Sequence, residues 1–114
     1  MSNPEELHEW ICRYNWDDGL SPIWPIAQSD ATQFATALLI YWRLDGPWFH
    51  SEGSANEEAA RLHGLVESRL LHGVYAEGSL RYYPVDENGL SKTQVAKLKR
   101  SGVPTQLLEP DYGS

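Results

Sequence analysis

The residues best equipped for chemistry crowd into the first nineteen positions. In "HEWIC", His8 and Cys12 lie one helical turn apart around Glu9, an arrangement that imitates two zinc ligands and a glutamate base. A zinc enzyme needs a further ligand, and His50, His63 and His72 fall at no standard zinc spacing. An ordinary helix explains the same letters, with His8 on its wet side and Cys12 near the core. Asp17 and Asp18 are adjacent carboxylates, and two carboxylates held close can split their pKa values for acid and base work. Neighbours in sequence need not point together, however. Asn15, Asp17 and Gly19 also imitate alternating calcium ligands, but Ile26 stands where the loop needs a bidentate glutamate.

Other chemistries find less. There is no G-x-S-x-G elbow, and "GSLRYY" has no phosphate-cradling glycine array. The run from Lys92 to Arg100 holds four positive charges without an aromatic module for bases, in a chain of formal charge −7. The expectation is therefore a protein that is not an enzyme, with no cofactor, no metal and no nucleic-acid ligand.

"YNWDDG" at residues 14 to 19 keeps two readings. As a structural turn, Tyr14, Asn15, Asp17, Asp18 and Gly19 end one helix and begin another, because Asn and Asp compete for local amides and glycine opens left-handed backbone. Either aspartate would accept buried amides or pair with Arg13 or Arg43. As a docking loop, it would join the acidic first helix. Residues 1 to 60 hold ten acidic and two basic residues, net −8, whereas residues 61 to 114 hold six acidic and seven basic, net +1. Such a first half repels polyanions and attracts a basic partner, although acidity also serves solubility. Five tryptophans are many for 114 residues, and Trp16, Trp24 and Trp48 fall near turns, where an aromatic either supports a loop or anchors an interface. The candidate protein-binding residues are Glu5, Glu6, Glu9, Trp16, Asp17, Asp18 and Trp24.

The elements that must position these residues follow from periodicity. Leu7, Trp10, Ile11 and Tyr14 form one apolar helical face, with Ser2 or Asn3 as cap, Pro4 in the first turn and Glu5 and Glu6 where exposed amides favour acid. "SPIWPIAQ" predicts a short helix or an ordered aromatic loop. Asp30 is placed to cap a central helix at about 31 to 44, apolar on several sides until Arg43, which Gly46 and Pro47 stop. Ser54 and Glu57 form a capping box before Ala59, Leu62, Val66 and Leu70, and His72-Gly73 suits a left-handed end. Val74-Tyr75 and Leu80 to Tyr83, around Glu-Gly-Ser, predict a small peripheral two-stranded hairpin. Ser91 and Gln94 make a second capping box, and Leu107 and Leu108 invite packing. The fold class expected is α+β, mainly helical, one domain over residues 1 to 114 with four or five helices. No apolar run exceeds Ala37 to Trp42, far short of a membrane span. The acidic N-terminus is unlike a secretory signal, and a single cysteine agrees with a reducing compartment, so a cytoplasmic address is expected.

These segments also resemble a small bacterial family, the domain of unknown function DUF4274. The likeness rests on "YNWDDG" at 14 to 19, "SPIWPI" at 21 to 26 and "DATQFATALLIYW" at 30 to 42, and continues more weakly through "LLHGVYAEGSLRYYPVD" at 70 to 86 to "SGVP" at 101 to 104. Members often begin the central segment with a cysteine-aspartate-leucine pattern, where this chain has Asp30-Ala31-Thr32-Gln33, so no cysteine role is carried over. The resemblance implies a small, mainly helical cytoplasmic domain and brings no catalytic residues. Its occurrence among bacterial accessory proteins is compatible with toxin immunity. The functional expectation is a protein-binding module, an immunity protein against a basic toxin in its specific form, with a scaffolding domain as the alternative and a hydrolase or metal-dependent enzyme third.

Overall fold

The computed structural model describes residues 4–44, 57–76, 78 and 80–110, the side chain of Asp17 excepted. Among them the chain is all-helical. Seven helices run in order: α1 (Pro4–Arg13), α2 (Ile23–Gln28), α3 (Phe34–Arg43), α4 (Glu57–Leu71), α5 (Pro84–Glu87), α6 (Lys92–Arg100) and α7 (Thr105–Leu108), with a 3₁₀ turn at Trp16–Asp18.

The most apolar segment takes the centre. From Ala35 to Trp42 every residue of α3 is buried, and the helix packs against α1 on one side and α4 on another. α1 contributes fully buried Ile11, with Leu7, Trp10 and Tyr14 partly buried around it. α4 presents Leu62, Val66 and Leu70, three residues at helical spacing, and α2 lies against α4 with Ile23 and Ala27 fully buried. Pro25 fits inside α2 because it falls in the first turn, where an amide would have no intrahelical acceptor. α4 ends as its sequence suggests. Gly73 adopts φ +67°, its amide donates to the Leu70 carbonyl, and the Val74 amide reaches back to Arg69 at 3.1 Å. The Ser54 end of the same helix lies outside the described residues.

The expected α+β class is overturned, because the described residues contain no strand and the hairpin does not form. The reason is where the backbone of Ala76 spends its hydrogen bonds. Its amide donates to the Thr32 carbonyl at 2.9 Å and its carbonyl accepts from the Phe34 amide at 3.0 Å, a single parallel bridge to Gln33. The Gln33 side-chain carbonyl then takes the Leu80 amide at 3.1 Å, so both would-be strands are tied to the start of α3 instead of to each other. The helix count rises because the segment after Tyr83 turns into α5 and the two tail leucines fold into α7. Pro84 opens α5 and has no amide to offer a sheet.

The same bridge displaces the expected cap of α3. The helix begins at Phe34, with Gln33 before it and no side-chain cap, since the Phe34 amide is already satisfied by Ala76. Asp30 pairs instead with Arg69, whose guanidinium also donates to the Gln28 carbonyl at 3.1 Å and lies 5.2 Å over the Tyr75 ring. The link between α2 and α3 is thus fastened to the end of α4.

The last three helices close the core. Ser91 and Gln94 form the anticipated capping box at α6, with bonds of 3.2 and 2.8 Å. Leu98, Val103, Leu107 and Leu108 are buried, and the Trp42 indole donates to the Leu107 carbonyl at 2.9 Å, joining α7 to the central helix.

Candidate functional site

α1 sorts its residues by face. Glu5, Glu6 and Glu9 are exposed, and Arg13 pairs with Glu9 at 2.9 Å on the same outer surface. On the flank lies an aromatic ladder: Trp10 stacks on Tyr14 at 4.9 Å between ring centroids, and Tyr14 meets Trp16 edge-on at 5.7 Å. The turn that follows is short and self-contained. The Asp18 amide donates to the Asn15 carbonyl at 3.0 Å, Gly19 takes φ +100°, and the Tyr14 hydroxyl donates to the Gly19 carbonyl at 2.6 Å. Tyrosine therefore closes the loop from its first residue to its last.

Asp17 is the middle residue of the 3₁₀ turn, and its side chain lies outside the described part of the chain. Asp18 is exposed, with no hydrogen bond to a buried amide among the described residues. The Trp16 indole N–H is buried at the ladder's end, without an acceptor among the described residues. The structure thus gathers Glu5, Glu6, Glu9, Trp16 and Asp18 onto α1 and its turn. It takes Trp24 elsewhere: that indole, half-buried on α2, donates to Glu58 of α4 at 3.3 Å.

His8 and Cys12 exchange their expected places. Cys12 is exposed, while His8 is half-buried with Nδ1 at 2.9 Å from the hydroxyl of Thr36 in α3. A hydroxyl buried inside an otherwise apolar helix needs a partner, and His8 supplies it. On a helical wheel His8 stands roughly 60° from Ile11, at the edge of the apolar face, which is the signal that could have placed it. Burial lowers the His8 pKa below its ordinary 6.5, against a smaller upward pull from the Glu87 carboxylate on α5.

A second polar cluster had no sequence signal beyond the i,i+4 spacing of His63 and Glu67. The Tyr41 hydroxyl donates to the Glu67 carboxylate at 2.9 Å, His63 Nε2 lies 3.6 Å from the same oxygen, and the His63 ring stacks on Tyr41 at 5.2 Å. Burial first, and the Glu67 charge second, push the Tyr41 hydroxyl far above its ordinary value, so it stays a proton donor. Tyr41 is fully buried and its bond to Glu67 ties α3 to α4. Among the described residues no three His, Cys, Asp or Glu side chains converge where a metal ion could sit. Nor is any helix among them long and apolar enough to cross a membrane.

The segment that builds α1, its turn, α2, α3 and α4 is also the segment with known relatives: residues 2–75 match the family described as Domain of unknown function (DUF4274). The chain belongs to the DUF4274 family. No curated protein and no solved structure matches it. The DUF4274 match takes in the acidic face, the aromatic ladder and the turn, and stops just before Ala76, so α5, α6 and α7 lie beyond it.

Proposed function

We propose that this protein is a cytoplasmic binding module for a basic protein, and that in its most specific form it is an immunity protein blocking a basic toxin. The observation behind this reading is the outer surface of α1, where exposed Glu5, Glu6 and Glu9 and nearby Asp18 border the Trp10–Tyr14–Trp16 ladder. Long-range attraction from the carboxylates orients a cationic partner, and an aromatic edge supplies the contact that holds once water is excluded. Trp16, half-buried at the end of the ladder, is the natural anchor. Trp24 would act from a separate position beside Glu58.

The competing reading, a structural domain without inhibitory activity, draws on the inward packing of the same tryptophans: Trp16 and Trp24 both rest against the core. One experiment separates the two. The protein is co-expressed with candidate basic toxins, any encoded beside its gene first, and growth, complex formation by size exclusion and dissociation rates are compared for wild type and Trp16→Ala. The binding reading expects protection and a 1:1 complex that dissociates faster in the variant. Neither protection nor a complex would leave the structural reading in possession.

A further inference from the structure

A cleft of about 230 Å³ opens between α5 and α7, entirely outside the part of the chain that matches the family. Its apolar lining comes from Pro84, Val85, Leu108 and Pro110; Pro84 and Leu108 are buried, so the apolar surface open to a ligand belongs to half-buried Val85 and Pro110. Its rim is of another kind. Tyr83 is 47% exposed, Asp86 is exposed with no ion-pair partner among the described residues, and Glu109 holds the ammonium of Lys99.

The volume and the lining decide the class of occupant. The cleft is smaller than the roughly 300–1,000 Å³ of small-molecule sites, and it suits one long side chain. An apolar lining beside the Asp86 carboxylate, the Glu109–Lys99 pair and an aromatic residue matches an aliphatic stem that ends in a cation, which is the build of lysine and arginine. The Asp86 carboxylate repels an anionic ligand, and a purely apolar one would leave it without a partner. Lys99 already shows an ammonium seated at Glu109.

We infer that the cleft between α5 and α7 receives a lysine or arginine side chain of the basic partner, gripped by Tyr83, Asp86 and Glu109. This inference rests on the binding reading above and assigns it a second contact, distinct from α1.

The test needs no partner, so the two readings fail separately. ¹⁵N-labelled protein is titrated with N-acetyl-arginine methylamide, N-acetyl-lysine methylamide and the neutral N-acetyl-norleucine methylamide at low salt. The cationic probes should shift the amides of Val85, Asp86 and Glu109 saturably, with norleucine at least about threefold weaker. Asp86→Asn should weaken the cationic probes about threefold, and Tyr83→Leu should weaken arginine by about the same factor. Lys99→Gln should tighten them about twofold, because it removes the internal competitor for Glu109. No saturable shift at these amides, equal binding of norleucine, or indifference to Asp86→Asn and Lys99→Gln in a folded protein would overturn the inference. A partner that binds through α1 and ignores all three substitutions would overturn it as well, leaving the binding reading intact.

Discussion

Leu38 lies in the middle of α3 with no exposed surface, inside a run from Ala35 to Trp42 that is buried throughout. Leu38→Ala removes three carbons from that environment, about 2–2.5 kcal/mol of transfer free energy at about 0.8 kcal/mol each. The helix is enclosed by α1 and α4, so the vacated space collapses poorly and a cavity adds about 1–2 kcal/mol. The expected loss is about 3–4.5 kcal/mol, a large part of the roughly 5–15 kcal/mol that holds a domain of this size together. Urea unfolding followed by tryptophan fluorescence and far-ultraviolet circular dichroism measures it, with a constant slope confirming that the unfolded state is unchanged. Leu71→Ala is the control: Leu71 is 39% exposed at the end of α4, and its truncation should cost less than about 1 kcal/mol. If Leu38→Ala cost below about 1 kcal/mol, or no more than Leu71→Ala, α3 would not be the centre of the core.

Three further outcomes follow from local geometry. Burial holds the His8 pKa below 6.5, so as pH falls the unfolded chain takes up the proton first; the associated stability is present above pH 6.5 and is lost below it, towards the lower folded value. His8→Gln keeps a polar group opposite Thr36 without titrating, so the stability gap between wild type and variant should shift between about pH 7.5 and pH 5, and a constant gap would refute the burial of His8. In the turn, Tyr14→Phe should cost about 0.5–1.5 kcal/mol through the lost bond to Gly19, while Asp18→Ala should stay within about 0.5 kcal/mol of wild type by denaturant midpoint. Gly73→Ala forces a Cβ into left-handed backbone at φ +67°, and its urea midpoint should fall by the equivalent of about 1–2 kcal/mol.

What could be read in advance was local. The α3 segment announces its burial because Phe34 to Trp42 carries no charge, and the Ser91–Gln94 box and Gly73 announce helix ends because both motifs close within a few residues. What could not be read depended on partners far along the chain. "VYAEGSLRYY" has the residue types of a hairpin, but Ala76 finds the backbone of Thr32 and Phe34, some forty residues away, and that choice removes both the hairpin and the need for Asp30 as a cap. His8 and Cys12 are four residues apart on one helix; the helical wheel sets His8 nearer the Ile11 face, and the Thr36 hydroxyl on a neighbouring helix, invisible to periodicity, gives it a partner there. For the candidate site, the exposure of Glu5, Glu6 and Glu9 followed from the apolar face opposite them. The separation of Trp24 from that surface followed from Glu58, which periodicity could not connect to it.

The central claim is that the acidic face of α1 guides a basic partner onto this protein. The most direct measurement is the association rate constant with a basic partner captured in the co-expression experiment, from about 20 mM to about 500 mM salt, for wild type and a folded Glu5/Glu6/Glu9→Gln variant. Wild type should associate at least about tenfold faster at the low-salt end, and the variant should be slower there and nearly indifferent to salt. Identical rates and identical salt dependence in the two proteins would contradict the claim.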